Sequence, residues 1–150
     1  MIMDLQEVVT YSLIGAALYP LLTSTVNTVS MILSQKIQSQ QSLDFEIQKE
    51  QQKLGLQDVR IEGKLTQVTR GRFYHLNDHY VIEIGGFCAN TSTVRHEMNH
   101  IRRIEEGRSK LVSFDLSRDP QLSDVPRILC YFYSTEELSS ILYEAFRIKI

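Results

Sequence analysis

Two histidines four residues apart, His96 and His100, with an acid directly after the first, form the most constraining stretch of this chain. Side chains at i and i+4 stand one above the other only on a helix, so a working pair demands helix around it. The neighbouring residues agree. Asn90, Thr91 and Ser92 are competent N-caps, Gly107 is a natural stop, and Val94, Met98, Ile101 and Ile104 recur at helical spacing. At about 100° per residue, the two histidines lie about 120–150° from the centre of that apolar stripe. They therefore flank the core and are expected to face a cleft.

Two imidazoles so placed can hold one Zn²⁺ at roughly 2.0–2.1 Å per bond. In His96-Glu97-Met98-Asn99-His100 the carboxylate of Glu97 faces a zinc-bound water and serves as its general base. Zinc lowers the pKa of that water to about 7. Glu97 then takes its proton and passes it to the leaving amine. The plainer alternative is a pair of solvent-facing histidines on an ordinary helix. His75 and His79 flank Asn77-Asp78 and read as surface turn residues.

The rest of the chain predicts an α+β fold: a small, mainly antiparallel sheet carrying an active-site helix and a later glutamate-bearing helix. Leu43, Ile47, Glu50 and Leu54 keep helical spacing up to the stop at Gly55, with an apolar stripe so narrow that a surface helix is expected. Val59–Glu62, the residues around Phe73, and Tyr80–Ile84 read as strands, the last two joined by a turn at Asn77-Asp78. Arg108–Arg127 is irregular, with Asp119-Pro120 and Val125-Pro126 opposing a long helix, and Ile128–Tyr133 is a short strand or connector. Ser134 caps a final helix through about Ile148, with Leu138, Ile141, Leu142 and Ala145 as its buried stripe.

The chain divides into an apolar N-terminal segment, residues 1–35, and a domain, residues 36–150. No charged residue occurs from Val8 to Gln35, a length near the roughly 20 residues of a membrane-spanning helix. Pro20, Asn27 and many Ser and Thr weaken that reading, so residues 8–33 are either a membrane anchor or a helix packed on the domain. A cleaved signal fits poorly, since Asp4 and Glu7 stand where a basic n-region belongs. If the segment spans, Lys36, Lys49 and Lys53 follow it, which puts the domain in the cytoplasm.

A net charge of −2 supplies no electrostatic reason for a nucleic-acid partner. Cys88 and Cys130 form no Cys-x-x-Cys pair, which excludes a four-thiolate zinc site, and two reduced thiols mildly favour a reducing compartment.

The strand at Tyr80–Ile84 followed by Thr93-Val94-Arg95-His96-Glu97-Met98-Asn99-His100-Ile101 resembles the core of the gluzincin clan of zinc metallopeptidases. The short length is similar to the minigluzincins, single-domain versions of the catalytic core of membrane gluzincins. No third histidine follows the motif as it would in metzincins. The resemblance implies a zinc endopeptidase acting on a peptide or protein, with a glutamate on a later helix as third ligand. Glu137 is the first choice, although Ser134 and Glu137 also read as a capping box. Glu144, in Tyr143-Glu144-Ala145, is the second, and Glu136 falls on the solvent side. The resemblance also implies substrate along an edge strand before the active-site helix, here Tyr80, Val81, Ile82, Glu83, Ile84 and Gly85. It implies oxyanion stabilisation from a residue such as Tyr131, Tyr133 or Tyr143. A zinc-binding module of the same fold that does not cleave is the alternative.

Overall fold

The computed structural model describes residues 5–108 and 135–147. In chain order these form α1 (Leu5–Leu33), α2 (Gln40–Leu54), β1 (Ile61–Thr66), β2 (Arg70–Leu76), β3 (His79–Gly85), α3 (Thr91–Glu105) and α4 (Thr135–Phe146), with a 3-10 turn at Gly86–Cys88. The fold is α+β. Expectations for Arg108–Tyr133 beyond its first residue, for Cys130 and for Ser134 lie outside the described residues.

The strands form one sheet in the order β1-β3-β2. β2 and β3 are antiparallel from Arg70↔Gly85 to Leu76↔His79, closed by the two-residue turn Asn77-Asp78 with Asn77 at φ 47°. β1 runs parallel to β3 from Ile61↔Tyr80 to Thr66↔Gly85. The sheet is therefore mixed, because β3 returns from its hairpin into the space between β1 and β2. β3 is its central strand, not the edge strand expected above. The residues carry the reason: Val81, Ile82, Glu83 and Ile84 are all buried, and a strand paired on both sides and covered on its faces shows such a run rather than alternation.

Helix α2 begins at Ser39, whose hydroxyl accepts from Ser42 N–H while Ser42 accepts from Ser39 N–H, and ends at Gly55. It lies on the surface of the domain as expected, with Gln41, Asp44, Phe45, Gln48 and Gln52 exposed, but its inner face belongs to the core. Leu43 and Ile47 are fully buried against β1, because Gly63 has no Cβ there; one would lie 2.8 Å from both Ile47 Cδ1 and Leu43 Cγ. At the outer edge of β1 the Gln40 amide donates to Gly63 O at 2.8 Å and accepts from Leu65 N–H at 3.2 Å. That side chain substitutes for a neighbouring strand. Among the described residues β2 forms the opposite edge of the sheet.

The core joins α2, the sheet and α3 through Leu43, Ile47, Ile82, Ile84, Val94, Met98 and Ile101. Each buried aliphatic side chain of this kind stabilises by about 1.5–3 kcal/mol relative to exposure. α1 is tied to the start of α3, where Thr91 N–H donates to Gln35 O and Ile37 N–H to Ala89 O, both at 2.9 Å. Its outward stripe contains Leu18, Leu21, Leu22, Val29, Ile32 and Leu33, whereas Thr23, Asn27, Ser30 and Ser34 are half-buried on the inner side. Among the described residues no helix is long and apolar enough to cross a membrane.

Candidate functional site

Asn90 starts α3 by accepting the Thr93 N–H at 2.9 Å through its side chain. From there α3 exposes little on either side. Its apolar face meets the sheet and α2; its other face, bearing Ser92, His96, Asn99 and His100, meets α4. The two helices are antiparallel in register: His96 contacts Glu144, whereas His100 contacts Ser140, one turn earlier on α4. The histidines are thus covered by a helix rather than opened to a wide cleft, and His100 is only 4% exposed.

The geometry is specific. His96 Nε2 and His100 Nε2 face each other at 3.0 Å, with the rings edge to face. Each ring is held from behind. His96 Nδ1 lies 3.0 Å from Glu144 Oε2, and His100 Nδ1 lies 3.0 Å from Ser140 Oγ. The Ser92 hydroxyl donates to Glu144 Oε1, and Ser30 Oγ of α1 lies 2.8 Å from Ser92 Oγ. Asn99 Nδ2 donates to Ser139 and Ser140 hydroxyls at 3.1 and 3.2 Å, while Arg102 Nε donates to Asn99 Oδ1 at 3.0 Å. Phe73 of β2 stacks on the His100 ring at 5.7 Å and 20°.

A carboxylate accepts hydrogen bonds, so Glu144 assigns the His96 hydrogen to Nδ1 and leaves a lone pair on Nε2. Two arrangements satisfy the facing nitrogens. His100 can donate from Nε2 while Ser140 donates to its Nδ1. Alternatively both Nε2 lone pairs converge on one cation, with Ser140 accepting from His100 Nδ1. Two imidazole nitrogens bound tetrahedrally to Zn²⁺ stand about 3.3 Å apart, close to the spacing here. Metal-binding histidines characteristically donate their second nitrogen to a carboxylate or another fixed group. The two histidines therefore fit a zinc ion as two of its ligands.

The acidic candidates fall differently. Glu144 is 1% exposed and turned to the rear nitrogen of His96, away from the facing Nε2 pair. Glu137 belongs to α4 one turn before Ser140, level with Arg103 in the antiparallel register; its side chain and that of Glu136 lie outside the described residues. The residue level with His100 is Ser140. Among the described residues, no group of three or more His, Cys, Asp or Glu is arranged to hold a metal ion. Glu97 is buried on α3 near Cys88, whose thiol is pushed up by burial and then by the Glu97 charge.

Tyr80, Val81, Ile82, Glu83, Ile84 and Gly85 are paired on both sides and, contrary to expectation, offer no free edge to a substrate strand. Glu83 is occupied by Arg72 at 2.7 Å, with Arg70 and Lys64 beyond. Burial opposes its charge, but these cations hold its carboxyl below the usual range. Gly85 also has an internal cause: a Cβ there would lie 2.3 Å from Thr66 O and 2.4 Å from Val68 O, on the chain that leaves β1.

Tyr143 is likewise engaged. Its hydroxyl donates to the fully buried Glu50 of α2 at 2.9 Å, and Arg147 donates to the same carboxylate oxygen at 2.6 Å. Burial and the Glu50 charge push the Tyr143 phenol up to about 12. Tyr131 and Tyr133 lie outside the described residues. His79 is held by Asp78 and Glu62, and His75 packs on Tyr80.

Sequence reasoning passed over Ser92, Asn99, Ser139 and Ser140. A signal existed on α3, where Ser92, His96 and His100 recur every four residues on one helical face. On α4 the expected stripe is corrected: Ser139, Ser140, Tyr143 and Glu144 are buried together with Ile141, whereas Leu138, Leu142 and Ala145 are only half-buried. No family model, curated protein or solved structure matches this chain.

Proposed function

We propose that this chain is a zinc-dependent endopeptidase of gluzincin type, acting on a peptide or protein. The observation that carries the reading is the pair of Nε2 atoms 3.0 Å apart, each ring held at its other nitrogen by a partner on α4. His96 and His100 are two protein ligands; Glu137 is proposed as the third, with Glu144 orienting His96. Bound zinc would supply Lewis acidity that brings a water pKa near 7. Glu97, one residue after His96, accepts the proton of the attacking water and delivers it to the departing amine.

The outer strand β2 is the better substrate edge than the interior β3. Its Phe73 ring lies against His100, so a chain added along β2 runs beside the histidine pair. The uncharged run of residues 8–33 and the outward apolar stripe of α1 support membrane association, with the domain on the cytoplasmic side.

One observation favours a second reading, a zinc-binding module that does not cleave: Ser140, rather than an acid, is level with His100. Zinc content and cleavage of an unfolded protein decide between them. Purified protein should carry close to one Zn²⁺ per chain, lost in His96→Ala and His100→Ala and kept in His75→Ala. Equal zinc in wild type and His96→Ala would end both readings. In the peptidase, Glu137→Ala also loses most of the zinc; in the non-cleaving module it keeps it, and every variant is inactive.

A further inference from the structure

We infer that α1 sets the metal affinity of the histidine pair through a hydroxyl relay, Ser30 to Ser92 to Glu144 to His96. This inference rests on the zinc reading proposed above. The four residues span three helices: Ser30 on α1, Ser92 and His96 on α3, Glu144 on α4. The contacts are continuous, with Ser30 Oγ 2.8 Å from Ser92 Oγ, the Ser92 hydroxyl donating to Glu144 Oε1, and Glu144 Oε2 3.0 Å from His96 Nδ1.

The burial pattern makes the relay directional. Ser92 is fully buried and Glu144 nearly so. A buried carboxylate must have its lone pairs satisfied, and its orientation is set by the donors it finds. Ser92 holds Oε1, which leaves Oε2 aimed at the imidazole. If Ser92 turned its single hydrogen elsewhere, Oε1 would lose a donor and the carboxylate could rotate off His96. Ser30 sits where it can prevent this: as the neighbour of Ser92 Oγ it can donate to that oxygen and leave the Ser92 hydrogen for Glu144. Half-buried Ser30 belongs to the mixed inner side of a helix whose opposite side is largely apolar and exposed. A displacement of α1 therefore breaks the outermost link first. Ser92 and Ser30 are positioning residues, acting on the metal through Glu144 and His96.

The test uses the full chain and four variants: Ser30→Ala, Ser30→Thr, Ser92→Ala and the double alanine. Zn²⁺ affinity is read by competition with a chromophoric chelator, and the ligand field by the visible spectrum of the Co²⁺-loaded protein. Thermal unfolding of chelator-treated protein is measured beside them. Outer-shell partners of metal-binding histidines typically change affinity by about 10–100-fold. Ser92→Ala should weaken Zn²⁺ binding about tenfold or more and shift the Co²⁺ spectrum. Ser30→Ala should do so by a smaller factor, Ser30→Thr should restore it, and the double variant should be no weaker than Ser92→Ala, as for links in one chain. Unchanged affinity and spectrum in both single alanine variants, with wild type binding tightly, overturn the relay and leave the zinc site intact. So does a loss that merely follows a drop in unfolding temperature and is not rescued by threonine. Wild type that binds neither metal overturns the zinc reading and the relay together. Should Ser92→Ala fail to fold, the Ser30 pair decides alone.

Discussion

The two sides of α3 are buried to similar depth by opposite means. Towards the sheet it presents Val94, Met98 and Ile101, all fully buried among Leu43, Ile82 and Ile84. Towards α4 it presents Ser92, His96, Asn99 and His100, answered by Ser139, Ser140 and Glu144. The apolar side stabilises by area removed from water and tolerates some exchange of shape. The polar side gains little net stability per hydrogen bond, about 0.5–1.5 kcal/mol, yet every group on it needs a partner because an unmet one costs about 1–3 kcal/mol. A helix interface that an apolar stripe could have made more simply is instead filled with hydroxyls, an amide, imidazoles and a carboxylate. The zinc chemistry proposed above would account for that choice, which burial of apolar area alone does not require.

The sharpest break is Glu97→Gln, which keeps the size of the side chain and removes the proposed base. Cleavage of an unfolded protein should fall about 10²–10⁴-fold while zinc content is kept. Equal residual activity in both proteins would expose a contaminating protease. Next comes Met98→Ala on the apolar side, expected to cost about 2–5 kcal/mol in denaturant unfolding without changing zinc stoichiometry in the folded fraction. If zinc is lost instead, the two faces are not separable.

Asn99→Ala should cost less, about 1–3 kcal/mol, because it leaves Ser139, Ser140 and Arg102 short of a partner. It should also weaken zinc binding, since Ser140 steadies His100. A stability loss with unaltered affinity would reduce Asn99 to a packing role.

The smallest effect concerns pH and the bridge from α2 to α4. Burial of Glu50 disfavours its charge, but Arg147, Tyr143 and Lys53 outweigh this and hold its carboxyl below the ordinary 4.5. A depressed folded-state pKa contributes stability above the unfolded value, lost as pH falls through the folded one. Unfolding free energy should therefore decline below about pH 4.5, and Glu50→Gln should flatten that decline. Tyr143 works in the opposite direction. Its pKa is raised to about 12, so its contribution is present below pH 10 and fades as pH rises towards 12. An acid limb unchanged in Glu50→Gln would move the responsibility to Glu83, a buried carboxylate held low by Arg72, Lys64 and Arg70.

The sequence by itself determined what depends on local periodicity. The four-residue step from His96 to His100 and the cap at Asn90 specify α3; Gly55 stops α2; Asn77-Asp78 closes the β2–β3 hairpin. These are contacts within one turn or one hairpin, so neighbouring residues carry the information. Only the tertiary structure decided what lies across from them. Strand order was hidden because β1 pairs with β3 past the whole of β2, and Gly85 reads the same whether it admits a substrate or the backbone at Thr66. Glu144 and Ser140 became partners of His96 and His100 because α3 and α4 run antiparallel with a register that a helical wheel of either helix alone does not contain. A wheel orders residues around one axis; which of them meet is set by how two axes slide and turn against each other as both bury their faces.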